Sequence, residues 1–224
     1  TLAAGVAKPT YDPATNEAKG YLAEPAATYL AMRSTEMDNG SYWVQTNATV
    51  TPAAAIGIDG ELSMYKVEAV LSGGSVFSRA VNATATAQYY AVRAKKGTSA
   101  TKANRFSIYN NTTATTLASL NINYDTGVVT QGIGTGATAV PVGHDGIWEI
   151  RIPCTSGIAI GNEIAFYGAF VGSGTDAAGD FSYVGFLDVA DKPNLTHIPT
   201  AGGNVTTVRS EERRVGKECR EMCR

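Results

Sequence analysis

The sequence predicts an all-β protein, and in particular a two-sheet antiparallel jelly-roll sandwich. Between residues 49 and 186, short runs of strand-forming residues are separated by clusters of Gly, Asn, Asp or Thr. The runs recur at intervals of about eight to twelve residues, which is the spacing of a β-sandwich. Helical periodicity is nearly absent. Several runs alternate apolar and polar residues, as strands do when one face packs on a core and the other faces water.

Nine strands are predicted, and their alternation assigns side chains to faces. In the run 88–95, Tyr90, Val92 and Ala94 share the core face, whereas Tyr89 and Arg93 share the face predicted to be wet. In the run 148–152, the core face carries Trp148, Ile150 and Ile152. The nine strands cover residues 63–70, 76–81, 88–95, 104–109, 116–124, 128–130, 146–153, 163–171 and 181–189.

The turns agree with this pattern. Residues 125–127 (DTG) predict a hairpin turn with Gly at its end, and residues 72–75 (SGGS) separate another pair of strands. Residues 131–136 (QGIGTG) resemble a glycine-rich phosphate loop, but no helix follows them. We therefore expect an inter-strand loop that continues through residues 137–141, and no nucleotide cofactor.

Three segments are predicted: an extended lead-in at residues 1–48, the sandwich at 49–208, and a tail at 209–224. The tail holds 6 of the 18 basic and 4 of the 20 acidic residues, which leaves 12 and 16 in the other 208. Residues 209–219 (RSEERRVGKEC) resemble the translation of a sequencing-adapter oligonucleotide, so we expect the tail to be an artefact. The chain starts at Thr1 without an initiator methionine or a signal peptide, and we expect it to be a fragment of a longer polypeptide.

Composition excludes several classes of function. The low and nearly balanced charge argues against nucleic-acid binding, and no apolar run is long enough to insert into a membrane. Only two histidines are present, and outside the tail Cys154 is the one cysteine, so no internal disulfide and no cysteine metal site is possible there. We expect Cys154 to be a small buried side chain.

Several motifs resemble those of bacteriophage virion and tail proteins. These are residues 9–15 (PTYDPAT), 20–26 (GYLAEPA), 42–50 (YWVQTNATV), 91–97 (AVRAKKG), 108–112 (IYNNT) and 197–200 (HIPT), and their order and spacing extend the likeness from residue 9 to about 207. The resemblance implies a jelly roll similar to carbohydrate-binding modules, exposed on a virion. It further implies a bacterial surface glycan as partner and a homo-oligomer, with a trimer as one form.

No catalytic site is predicted. The carboxylates are scattered through turns and strand ends, and no spacing marks the pair that a glycoside hydrolase needs. His144 lies in a Gly-rich turn without a nucleophile motif beside it. We also predict no metal site and no cofactor.

A glycan site needs aromatic platforms beside hydrogen-bonding side chains, and the chain has 11 Tyr, 2 Trp and 6 Phe. Tyr89 and Arg93, on the face predicted to be wet, are the first candidates. The others are Tyr109, Asn110, Asn111 and Tyr167. Each aromatic could equally be a cross-strand residue that covers the sheet.

Two other functions stay open at the level of sequence. One is a structural or oligomerisation module of a fibre that binds no sugar. The other is an accessory binding module of a secreted glycanase. If the candidate residues line an open face, binding is favoured; if another chain buries them, the structural function is favoured.

Overall fold

A computed structural model describes residues 8–11, 18–22, 27–30, 34–71, 75–78, 80–98, 104–143, 146–169, 177–193 and 205–207. All regular structure in these residues is β-strand, so none of them belongs to a helix that could cross a membrane. The strands, in chain order, are β1 (Lys8–Tyr11), β2 (Ala18–Leu22), β3 (Ala27–Tyr29), β4 (Trp43–Thr46), β5 (Ala48–Ile56), β6 (Leu62–Ala69), β7 (Ser75–Ser78), β8 (Val81–Asn82), β9 (Gln88–Lys95), β10 (Asn104–Asn110), β11 (Thr115–Ile122), β12 (Val129–Ile133), β13 (Thr138–Pro141), β14 (Ile147–Cys154), β15 (Glu163–Ala169), β16 (Phe181–Ala190) and β17 (Val205–Thr207).

The strands form two large antiparallel sheets. The seven-stranded sheet has the order β12-β11-β10-β15-β7-β4, with β8 also paired to β15. The eight-stranded sheet has the order β13-β14-β9-β16-β3-β17, with β6 paired to β16 and β5 paired to β6. The chain crosses repeatedly between the sheets from β9 to β16, and the predicted two-sheet antiparallel jelly-roll sandwich is confirmed. Strands β1 and β2 pair with each other in a separate two-stranded sheet.

The core lies between the two large sheets and follows the predicted alternation. Tyr90, Val92 and Ala94 of β9 are buried in it, as are Ile150 and Ile152 of β14. Trp148 is partly buried against the same core, and its Nε1 donates a hydrogen bond to the backbone oxygen of Tyr124 at 2.9 Å. The opposite sheet contributes Phe106 and Phe166, whose ring centroids lie 6.1 Å apart. Cys154 is 3% exposed, and burial raises the pKa of its thiol to about 12.

The predicted lead-in supplies part of this core. Leu30, Met37 and Trp43 have no exposed surface, and Trp43 belongs to β4, which pairs with β7 in the seven-stranded sheet. The sandwich therefore contains residues that precede the predicted boundary at residue 49. The physical reason is the size of these apolar side chains, each of which is stabilised by leaving water. The predicted tail, residues 209–224, lies outside the described residues.

The prediction of a loop from residue 131 to residue 141 is wrong. Strand β12 continues to Ile133, and β13 pairs with β14 at residues 138–141. Between them, Gly134 and Gly136 adopt φ values of 80° and 81°, which glycine tolerates and which turn the chain from one sheet to the other. Pro141 is accommodated because β13 is an edge strand, where a missing N–H interrupts no ladder.

We predict that Trp43→Ala lowers the free energy of unfolding by about 3–5 kcal/mol, because it leaves a cavity beside the core. Ile160→Ala is the control, since Ile160 is 71% exposed, and it should change stability by about 0.5 kcal/mol or less. Urea denaturation followed by circular dichroism measures both. Equal, small effects would show that the segment before residue 49 does not belong to the sandwich.

Candidate functional site

Arg93, a first candidate, is buried in the outer face of the eight-stranded sheet. It is 2% exposed, and its guanidinium contacts Asp188 and Glu149, which are 1% and 5% exposed. Its Nη1 also donates a hydrogen bond to the backbone oxygen of Phe186 at 2.8 Å. Glu149 in turn pairs with Arg151, whose side chain is 48% exposed. The prediction that Arg93 faces water is wrong, so it is not available to a ligand.

A bulge in β16 explains this burial. The register between β16 and β9 shifts between Gly185 and Asp188, and Phe186 in the bulge has a φ of 54°. Phe186 forms a second, small apolar cluster with Met64 and Ile147. The β5–β6 turn packs against this cluster, since a Cβ on Gly57 would overlap the Phe186 ring. Alternation predicts the face that Arg93 occupies, but not that other residues cover that face.

Tyr89 lies on the same outer face and is half-buried. Its cross-strand partners are Pro153 of β14 and Ala190 of β16. Because Arg93 is enclosed by its carboxylate partners, the predicted pairing of a Tyr89 platform with an Arg93 donor does not form an open site. Tyr89 itself stays a candidate by sequence, without the donor that was expected to accompany it.

Asn110 holds a turn together and has no free hydrogen-bonding group to offer a ligand. Its Nδ2 donates to the backbone oxygen of Gly157 at 3.0 Å and to Oδ1 of Asn162 at 2.9 Å. Its Oδ1 accepts from the backbone N–H groups of Thr112 and Thr113, at 3.0 and 3.2 Å. Asn110 is fully buried. The prediction of Asn110 as a binding residue is therefore wrong, because buried amides are satisfied within the protein.

Asn111 is exposed at the start of the same turn. Its backbone N–H donates to the backbone oxygen of Glu163 at 2.8 Å, which fixes the main chain and leaves the side chain in water. A role for Asn111 in binding stays a prediction.

Tyr109 and Tyr167 are brought together on the outer face of the seven-stranded sheet. Tyr109 on β10 is opposite Ala165 of β15, and Ser107 on β10 is opposite Tyr167, so the tyrosines are diagonal neighbours. Their ring centroids lie 6.2 Å apart with an interplanar angle of 73°. Tyr167 is 37% exposed and Tyr109 is half-buried. Edge-to-face packing of this kind stabilises both rings in a defined orientation.

Polar side chains that the sequence did not single out surround this pair. Arg105 and Ser107 share the outward face of β10 with Tyr109, and across β11 their partners are Asn121 and Ser119. Arg105 is exposed and the other three are partly exposed. Alternation along β10 (NRFSIYN) already assigns Arg105, Ser107 and Tyr109 to one face, but the contribution of β11 depends on the register. We call Arg105, Ser107, Tyr109, Ser119, Asn121 and Tyr167 the tyrosine face.

The tyrosine face presents aromatic and polar side chains side by side. It combines two half-exposed rings with hydroxyl, amide and guanidinium groups, which together donate and accept hydrogen bonds. None of its six residues has a carboxylate. Across the described residues, no group of three His, Cys, Asp or Glu side chains is arranged to hold a metal ion.

No family model and no curated protein matches the chain. Solved structures of similar shape include the C-terminal family 6 carbohydrate-binding module of a laminarinase from Zobellia galactanivorans, at 12% identity and a TM-score of 0.41, covering 73% of this chain and 98% of that one. The enzymatically active domain of tailspike protein 4 of bacteriophage CBA120 is 14% identical, with a TM-score of 0.41 over 71% of this chain and 21% of that one.

A xylanase of Clostridium thermocellum with a carbohydrate-binding module, solved with xylohexaose, is 16% identical, with a TM-score of 0.40 over 73% of this chain and 28% of that one. The chain therefore spans about a fifth of the tailspike chain and about a quarter of the xylanase chain.

We predict that Arg93→Ala lowers the free energy of unfolding by about 3–5 kcal/mol, because Glu149 and Asp188 stay buried without their counter-charge. Arg105→Ala is the matched control: it removes the same side chain from the other outer face, where it is exposed, and should cost about 0.5 kcal/mol or less. Chemical denaturation compares the two. Arg93 would not hold the sheet together if both variants were equally stable.

Proposed function

We propose that this protein is a non-catalytic glycan-binding module and that the tyrosine face is its binding site. The observation that carries the proposal is the pair of half-exposed rings, Tyr109 and Tyr167, fixed edge to face at 6.2 Å on the outer face of the seven-stranded sheet. A sugar ring has an apolar C–H side that stacks on an aromatic ring. Its hydroxyl groups need donors and acceptors at the rim of the contact.

Aromatic rings and hydrogen-bonding groups lie next to each other on the tyrosine face. Tyr167 is directly opposite Ser107, which in turn is opposite Ser119, so two hydroxyl groups follow the exposed ring on one side along a row of the sheet. In the adjacent row, Arg105 is opposite Asn121. Because Tyr109 packs against Tyr167 before any ligand arrives, little side-chain entropy is lost when a sugar stacks on the pair.

Absence of catalysis is part of the proposal. A glycoside hydrolase positions two carboxyl groups about 5–9.5 Å apart on either side of the scissile bond. The described strands of the seven-stranded sheet contain one carboxylate, Glu163, and it lies at the far end of β15. Glu149 and Asp188, on the other sheet, are buried and paired with Arg93. We therefore propose that the protein binds a glycan without cleaving it.

The phage-like motifs in residues 9–200 support a bacterial surface glycan as the ligand and the exterior of a virion as the location. A shallow sheet surface binds weakly, with a dissociation constant of about 0.1–10 mM for one site. Copies in an oligomeric fibre would multiply this affinity, because several weak sites engage one surface at once.

A purely structural role is the second candidate. Ile56 and Leu62, at the ends of the strands that flank the β5–β6 turn, are 47% and 60% exposed, and Ile58 in the turn is 36% exposed. Exposed apolar side chains close together favour a contact with another chain. This surface is on the eight-stranded sheet, so such a contact would leave the tyrosine face open.

We predict that Tyr167→Ala and Tyr109→Ala each weaken glycan binding about tenfold, because each removes a ring from the stacking surface. The measurement is a glycan array of bacterial surface polysaccharides, probed with the purified protein. Tyr89→Ala is the matched control, since it removes a half-buried tyrosine from the other outer face.

The proposal would be contradicted in two ways. Tyr89→Ala could abolish binding while the other two variants retain it, which would move the site to the eight-stranded sheet. The wild-type protein could also bind no glycan on the array, and this result would favour the structural role instead.

A further inference from the structure

Charged residues are distributed very unevenly between the two sheets. The described strands of the seven-stranded sheet carry two, Arg105 and Glu163. The described strands of the eight-stranded sheet carry Lys66, Glu68, Arg93, Lys95, Glu149, Arg151 and Asp188. Six of these seven are joined to another of the set by an ion pair within the sheet: Lys66 pairs with Glu68, Arg93 with Glu149 and Asp188, and Arg151 with Glu149.

Arg105 is placed differently from those cations. It is exposed, and it makes no ion pair or side-chain hydrogen bond with any described residue. In the register it is opposite Ala169, six positions along β15 from Glu163, or about 20 Å away. At that distance water screens the attraction between the two charges almost completely. Among the described strands of its own sheet, the cation therefore has no counter-charge nearby.

The residues around Arg105 are suited to contact a bound ligand together with it. It is one row from Tyr167 and two rows from Tyr109, with about 7 Å between rows along a strand. Asn121 is beside it on β11, and Thr130 on β12 is opposite Asn121. An amide and a hydroxyl therefore lie in the same row as the guanidinium, and the row adjoins the exposed aromatic ring.

We infer that the tyrosine face binds an acidic sugar, whose ring stacks on Tyr167 and whose carboxylate pairs with Arg105. This inference rests on the proposed function and names its ligand class. The planar guanidinium matches a carboxylate with two parallel hydrogen bonds, which a neutral hydroxymethyl group cannot reproduce. Asn121 orients hydroxyl groups beside that contact. A uronic acid has the required groups, a ring and its carboxylate, in one residue.

The test uses an array of bacterial surface polysaccharides, each printed before and after its carboxylates have been reduced to primary alcohols. For the wild-type protein, we expect binding to carboxylated glycans and about tenfold weaker binding to their reduced forms. Arg105→Ala should bind both forms at the weaker level. Lys192→Ala removes an exposed cation outside the tyrosine face and should behave like the wild type.

The outcomes separate this inference from the proposed function. If the wild type binds parent and reduced glycans equally, and Tyr167→Ala loses both, the site is a glycan site without selectivity for acids and the inference is overturned. Equal losses in Arg105→Ala and Lys192→Ala would indicate attraction by overall charge, and would also overturn it. If no glycan of either form is bound, the proposed function fails and the inference fails with it.

Discussion

The buried ion cluster at Arg93 is the interaction on which the arrangement of the molecule depends. Arg93 is in β9, Glu149 in β14 and Asp188 in β16, so the cluster joins three adjacent strands of the eight-stranded sheet. A charge this deeply buried is tolerated only with its partners in place. The bulge at Gly185–Asp188 and the apolar cluster around Phe186 lie beside it on the outer face of this sheet.

The two outer faces therefore have opposite properties. One carries several charged side chains that are paired with one another. The other has two charged side chains at opposite ends of its strands, with a pair of tyrosines between them. Binding groups are most effective where a rigid sheet holds them. The tyrosine face meets this condition, because Ile108 and Phe166, which alternate with the two tyrosines, are anchored in the core.

For Arg93 and Arg105, the sequence predicts the face of the sheet but not the burial of the side chain. Each arginine alternates with buried apolar residues on its strand, so periodicity correctly places both on an outer face. The two arginines differ in burial because different strands lie beside them, and because the bulge in β16 brings the backbone oxygen of Phe186 to Arg93. Neither the neighbouring strands nor the bulge can be predicted from the sequence of one strand. The alternation of β9 and β14 gave the core face correctly. In contrast, β13 was missed because Pro141 ends it, and Asn110 was misassigned because its partners, Gly157 and Asn162, are distant in sequence.

Strands β3 and β17 pair at one edge of the eight-stranded sheet, and this pairing determines how the sandwich can be joined to another domain. Tyr29 is opposite Val205 at one edge of the eight-stranded sheet, so the strands through which the polypeptide enters and leaves the sandwich run side by side in opposite directions. A host chain needs only a narrow gap to accept such a unit as an insertion, and the host fold is then little disturbed. Attached along that edge, the sandwich would branch sideways from its host, with β10 and β15 in the sheet that is not tethered.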